Sequence, residues 1–425
     1  MKILSTCAVA LLFVAGAPAL AAAPQISAGR YHNLAVTDNG AVYWWGKEYG
    51  LSYYLKKPAH AQPPTLVAGL PKVSAVAAGT WHSVALAEDG AVFEWGFSPY
   101  QIHETMTKPR TPGACEAARA TWTGHGKDPC ADEEKAMYAQ MYVEKPMPIP
   151  GIPSARAIAA TDSVTVALGR DGNVYCWAPN ADPQRVPGLE KITSIRLGGF
   201  HGVALREDGA VLTWGSNVNG ELGRSLQSSS GGESICGNPK PQVVFDGAVG
   251  IGASVKNSYA WRADGSVWGW GDNSGKLDAG KGPSADKIDL PRKIATIPKV
   301  TQIGGGLLHV IARSSDGKVY AWGSNYNNSI WSGDTMRSST TPVALTAFNE
   351  IGAISAYDHD IALTRDGYVC AWGDNSYGAA RPDSAQRTVP APVPVMLDDG
   401  KTPLKLLGNR NADGKEKSLI CGVVQ

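Results

Sequence analysis

The sequence lacks the marks of the common catalytic and nucleic-acid-binding classes. Its 425 residues carry 39 Lys and Arg against 38 Asp and Glu, with no basic run. Such a balance leaves no electrostatic footprint for a phosphate backbone, so no nucleic acid partner is expected. After residue 23 no segment approaches the ~20 uninterrupted apolar residues of a membrane span. There is no nucleophile elbow and no His-Glu-x-x-His. Gly275-Lys276-Leu277-Asp278-Ala279-Gly280-Lys281 begins like a phosphate-binding loop, but Gly282 stands where Ser or Thr is required. Turn carboxylates such as Asp89, Asp208 and Asp316 have a structural task, and no separated acid pair stands out. The chain is read as not an enzyme, with no cofactor and no metal.

What is present begins with a leader. Lys2 supplies a positive start, Ala8 to Leu20 an apolar run too short for a span, and the small residues through Ala23 a cleavage site. Cleavage is placed just before Ala22 or Ala23, so residues 1–21 are assigned as a signal peptide and 22–425 as the mature domain. Export to the periplasm or beyond follows. Of seven Cys, Cys7 lies ahead of the apolar run and leaves with the leader. Six remain, an even number in an oxidising compartment, which favours disulfides. Cys115–Cys130 is the expected pair, since both fall in one insertion; Cys176–Cys236 and Cys370–Cys421 follow only by elimination.

The body of the chain is a repeat. Seven times a turn Gly is followed by Val two residues later and Trp five residues later: Gly40/Val42/Trp45, Gly90/Val92/Trp95, Gly172/Val174/Trp177, Gly209/Val211/Trp214, Gly265/Val267/Trp270, Gly317/Val319/Trp322 and Gly367/Val369/Trp372. With only 13 Trp in the chain, one shared offset cannot be chance. His82 to Leu86 reads as a strand, Glu88-Asp89-Gly90 as a hairpin turn, and Val92 to Trp95 as the returning strand. Pro-led stretches between units (Pro63 to Val67, Pro183 to Val186, Pro291 to Ile294, Pro342 to Leu345) suit edge strands, where the missing N–H costs nothing. Short strands at this period read as blades of an all-β propeller, seven in number, with one helical, disulfide-bearing insertion.

The Gly-to-Gly intervals are 50, 82, 37, 56, 52 and 50 residues. The excess lies in the insertion, 97–147. Within it Ala131 to Lys145 is rich in Ala, Glu and Met and is expected to be helical. At the other end, Leu404 to Gly408 and Ser418 to Val424 resemble the start of an eighth unit. They are expected to complete a blade begun by the N-terminal strand, with a partial eighth blade as the alternative.

The fullest unit runs Gly198-Gly199-Phe200-His201-Gly202-Val203-Ala204-Leu205, Asp208-Gly209-Ala210-Val211, then Trp214-Gly215-Ser216-Asn217-Val218-Asn219-Gly220. This pattern resembles the regulator of chromosome condensation repeat, closest in style to exported bacterial members. The resemblance covers residues 25–425 outside the insertion and implies a seven-bladed propeller. It does not choose a function, because that family includes a nuclear exchange factor, a plant ultraviolet-B photoreceptor and secreted inhibitors of beta-lactamases. Only Trp81 occupies the loop position a light-sensing Trp cluster would need.

Two sets of residues are candidates for chemistry. His32, His82, His201, His309 and His359 recur at one repeat position, and each is expected to bond backbone within its own blade. The two residues before this position vary between units, and a propeller brings them to one face around the axis. Variable loops on a rigid scaffold are where binding resides. Tyr31, Trp81, Phe200, Lys256, Leu308 and Tyr357 are therefore the expected partner-binding residues, aromatic-rich as binding hot spots are. In the secreted inhibitors of the resembled family this face grips the target. The reading is an exported, non-catalytic, monomeric protein that binds another protein there, inhibition being one form. A carbohydrate- or cell-wall-binding propeller that takes glycan, and an exchange-factor-like effector acting on a small GTPase, are the alternatives.

Overall fold

The computed structural model describes residues 24–48, 60–107, 128, 130–179, 181–225, 235–237, 239–274, 286–326, 328–330, 338–346, 348, 350–408, 419–421 and 423–424. The expected leader, Cys115 and the near-miss phosphate loop lie outside these residues. Seven four-stranded antiparallel sheets follow one another, each built from consecutive strands. Blade 2 is typical: Val73–Ala78, His82–Ala87, Val92–Gly96 and Val143–Pro148. The first strands of successive blades touch in a closed ring, the last (Ile351–Ala356) meeting the first (Gln25–Ala28). The first strand of each blade thus lines the bore, and the His-bearing strand is second, not innermost as its small residues suggest. The Pro-led stretches are fourth strands, as their missing N–H requires.

Each repeat Gly sits in the turn between second and third strands with positive φ, for example 84° at Gly40, 86° at Gly209 and 94° at Gly367. L-residues avoid this region, which is why Gly recurs there. That turn also joins neighbours. The Gly40 carbonyl accepts from the Val73 N–H at 3.1 Å, and Gly90, Gly172, Gly209, Gly265 and Gly317 accept likewise from the segment leading into the next blade. For the last blade the acceptor is Gly367 and the donor is Leu406, at 2.8 Å. Leu406 then accepts from Asp38 N–H of blade 1 at 3.0 Å. The C-terminal segment does not complete blade 1, which has four strands of its own. It takes the place that the opening strand of the next blade takes at the other turns, and it clasps blade 7 to blade 1.

Apolar cores form between blades. Leu34, Val36 and Val42 of blade 1, for instance, pack on Val73, Val76, Ala85 and Trp95 of blade 2. All seven repeat Trp are buried, and five indole N–H groups donate to a neighbouring segment: Trp45, Trp177, Trp214, Trp270 and Trp372. Disulfides join Cys176 to Cys236 and Cys370 to Cys421; the second pins the C-terminal hairpin to blade 7. Cys130 is also disulfide-bonded. In the insertion, helix α1 (Pro99–Thr107) packs on helix α2 (Ala131–Met141) and on blade 3. The expected helix ends early: Tyr142 turns extended, and Val143–Pro148 is drawn into blade 2 as its fourth strand.

Candidate functional site

The loops joining first to second strands share a face with the connections that follow the third strands, because backbone bonds tie the two. Lys47 N–H donates to the Tyr31 carbonyl (2.8 Å), Phe97 to Trp81 (2.9 Å), Ser216 to Phe200 (2.8 Å) and Ser324 to Leu308 (2.8 Å). Pinning the loop tips in this way fixes what each blade presents.

Over blades 1, 2 and 7 the face is aromatic. The Tyr31 ring lies 5.0 Å from Trp81 and 4.5 Å from Tyr377, edge-on to the latter, and the Arg30 guanidinium sits 5.4 Å above it. Tyr31 is nevertheless 5% exposed, so it is packed under this cluster rather than displayed on it. Sequence spacing does not single out Tyr377. It stands in Asn375-Ser376-Tyr377-Gly378, and the variable residues of that Asn-x-x-Gly step are the signal that could have found it.

Tyr357 departs from its expected place. The loop of blade 7 is one residue shorter, so the Tyr357 N–H bonds the His359 carbonyl as the Gly306 N–H bonds His309 in blade 6. Tyr357 thus fills the position held elsewhere by Gly29, Gly79, Thr161, Gly198, Ser254 and Gly306. From there its hydroxyl reaches Asp162 of blade 3, 3.4 Å away across the mouth of the bore. Thr80 of blade 2 donates to the same carboxylate oxygen. Burial and the nearby Asp162 charge raise the Tyr357 phenol above its ordinary value. Asp358 is also raised, by burial, against the pull of Arg30.

The other three expected residues lie on blades 4, 5 and 6. Phe200 is 63% exposed. Lys256 is half-buried, its ammonium 4.0 Å from Asp272. Leu308 is half-buried beside the more exposed Leu307. Val218 and Tyr326, in the third-to-fourth connections of blades 4 and 6, add to this side of the face, Tyr326 being 84% exposed.

The five His are buried, and four of them bond a side chain of another blade rather than backbone of their own. His32 Nε2 lies 2.9 Å from Ser83 Oγ, His82 Nε2 2.9 Å from Thr165 Oγ1, His309 Nε2 2.8 Å from Asp360 Oδ1 and His359 Nε2 2.6 Å from Asn33 Oδ1. His201 is buried, and neither of its ring nitrogens has a hydrogen-bond partner among the described residues. Each partner belongs to the next blade. Thr165 gives its own proton to Glu94, so it must accept from His82. Burial lowers His32 and His201 to about 4 and His82 and His359 to about 3, holding them neutral. Among the described residues no group of three or more His, Cys, Asp or Glu is placed to hold a metal.

Fold and face together define a scaffold propeller: a rigid ring whose individuality lies in its loops. The chain carries the regulator of chromosome condensation (RCC1) repeat, whose family model matches residues 25–49, 192–221 and 300–329. Its structure is similar to yeast RCC1 (Prp20) bound to Kap60, with a TM-score of 0.65 and 20% identity over 84% of each chain. Prp20p from Saccharomyces cerevisiae gives the same score and identity over 84% of this chain and 86% of that one. Human WBSCR16 follows at 0.62 and 16%, over 84% and 94%.

Proposed function

We propose that this protein is an exported, non-catalytic binding module whose protein partner docks on the loop face over blades 4 to 6. The observation that carries this is a set of large apolar groups left in water on the loop face. Phe200 at 63%, Val218 at 62%, Leu307 at 37% and Tyr326 at 84% exposure all stand on that one face. Exposed apolar side chains gathered on one loop face fit an interaction site. The disulfides fit a chain that works in an oxidising compartment. The Prp20p structure was described together with binding to Gsp1p and histones, which fits a propeller of this shape serving protein partners.

The test is a pull-down from the compartment of origin with the mature protein and a Phe200→Ser, Leu307→Ser, Tyr326→Ser variant. The partner retained by the native chain should be lost from the variant while its thermal unfolding is unchanged. Undiminished capture by the variant would reject this face.

A further inference from the structure

In three blades the repeat Trp shares its acceptor with the residue paired opposite it on the second strand. Asn33 faces Trp45, and Asn33 Nδ2 and the Trp45 indole both donate to the Ala379 carbonyl, at 2.8 and 3.0 Å. Thr165 faces Trp177, and both donate to Glu94 Oε1, at 2.6 and 2.8 Å. Ser258 faces Trp270, and both donate to the Glu221 carbonyl, at 2.9 and 2.8 Å. Each acceptor belongs to the preceding blade. At Asn33 and Thr165 that blade also supplies a His, so the residue accepts from an imidazole and gives a proton onward. The position calls for a group that accepts and donates at once.

Blade 7 fills this position with a carboxyl. Asp360 faces Trp372, whose indole donates to the Ser329 carbonyl of blade 6 at 3.1 Å. Asp360 Oδ1 lies 2.8 Å from His309 Nε2, as Asn33 Oδ1 lies against His359. The other oxygen, Oδ2, corresponds to the Asn33 amide nitrogen; it is buried and has no hydrogen-bond partner. By the shared register its place adjoins the Ser329 carbonyl, to which a carboxylate brings only lone pairs. A carboxylic acid of the same shape brings the missing donor. Burial pushes the Asp360 carboxyl up, against the pull of His309. Among the described residues His309 is the titratable group in contact with it. Asp358 and His359 precede it in the chain, and Asp358 in turn feels Arg30 and Asp374.

We propose that Asp360 is a carboxylic acid that donates from Oδ2 to the Ser329 carbonyl and accepts from His309 at Oδ1, so that one titratable proton latches blade 7 to the connection of blade 6 that carries Tyr326 and Ser329. Loss of the proton sets two acceptors against each other and loosens that connection. The unfolded carboxyl loses its proton near pH ~3.9 and the folded one higher. Between the two values the folded chain holds the extra proton, so this group's contribution to stability falls as pH rises. The rival arrangement, an Asp360 carboxylate against a His309 imidazolium, leaves Oδ2 a buried anionic oxygen with no donor.

The test is infrared difference spectroscopy of the native protein against Asp360→Asn at pH ~6, where an ordinary Asp is ionised. The native protein should show a protonated-carboxyl C=O band that the variant lacks. Asn keeps the shape, the acceptor and the donor, so the variant should keep the latch without its titration. As pH rises from ~4, the native unfolding constant should grow relative to that of Asp360→Asn by up to about tenfold per pH unit. Where the band fades, exchange of the Ile330 N–H, which is bonded to Asn325 Oδ1 at 2.8 Å, should quicken in the native chain relative to the variant. Asp360→Val, matching Val310 at the same position of blade 6, gives the spectroscopic blank should Asp360→Asn not fold. A native spectrum without the band at pH ~6 would overturn the proposal. So would a native chain more stable than Asp360→Asn by a margin that pH does not change, as the ion pair requires, or Ile330 exchange that stays matched while the band is lost.

Discussion

His359 Nε2 lies 2.6 Å from Asn33 Oδ1, joining residues 326 apart in sequence and closing blade 7 on blade 1. Asn33 spends its amide donor on the Ala379 carbonyl, 2.8 Å away, which also accepts from the Trp45 indole at 3.0 Å. With the amide nitrogen so engaged, its oxygen is left to accept, and the imidazole must donate from Nε2. The closure is therefore a network with its directions set.

Asn33→Ala should remove the acceptor and leave the His359 donor buried with none. An unsatisfied buried group costs about 1–3 kcal/mol. The urea midpoint should fall accordingly, and Asn33→Asp should recover part of the loss by restoring an acceptor. Full stability in Asn33→Ala would show that closure does not depend on this bond.

The buried imidazoles make stability sensitive to acid. Their folded pKa values, about 4 for His32 and His201 and about 3 for His82 and His359, lie below the unfolded value near 6.5. Between these limits the unfolded chain binds more protons, so stability is complete above pH ~6.5 and falls as pH drops toward the folded values. Each such His contributes a slope of up to about 1.4 kcal/mol per pH unit. Glu94 and Asp360, raised by burial, work in the opposite sense at the acid end of the window. Unfolding midpoints measured from pH 4 to 7 should show a shallower slope for His82→Asn, by about one proton.

What the sequence makes legible follows from how often each constraint is repeated. A turn needing positive φ and a Trp filling a gap between blades recur in every unit, so Gly40, Val42 and Trp45 announce both blade and count. The His positions are equally visible, but their partners are not. Ser83, Thr165, Asp360 and Asn33 are four residue types serving one role, and only the packed ring shows that the bond crosses to the next blade. Tyr357 illustrates a different limit. Counting back from His359 places it at a loop tip, whereas strand register, set by backbone pairing, moves it one position inward to the mouth of the bore. Exposure is the least legible feature. Tyr31 and Phe200 hold equivalent positions, yet Tyr31 is covered by Trp81 and Tyr377 while Phe200 stands in water.

That contrast predicts a split between stability and binding. Tyr31→Ala empties a packed site and should cost about 3 kcal/mol, within the usual range for buried aromatics. Phe200→Ala removes an exposed ring and should change stability by about 0.5 kcal/mol or less. Denaturant melts of the two variants check this, and a destabilised Phe200→Ala would mean that the ring is engaged within the fold.

The Cys370–Cys421 bond should matter beyond its own hairpin. It ties the C-terminal strands Leu419–Ile420 and Val423–Val424 to the third strand of blade 7. Closing a loop of this length is worth about 2–4 kcal/mol. Cys370→Ser with Cys421→Ser should lower the urea midpoint by a corresponding amount, and added reductant should then have a smaller effect on the variant than on the native chain.

The sharpest test of ring closure is Leu406→Pro. Leu406 is 1% exposed, and its N–H is the donor to Gly367 while its carbonyl receives Asp38. Proline removes the first bond outright and displaces the second, because it has no N–H and fixes φ. Leu406→Ala keeps both bonds and loses only packing, at about 2–5 kcal/mol. If the segment is a clasp, Leu406→Pro should be the more damaging, and amide exchange should quicken first in the strand pair Gln25–Ala28 and Ile351–Ala356, where blades 1 and 7 meet. If the segment only covers an apolar patch, the two variants should lose similar stability and exchange should rise around residues 404–408 alone.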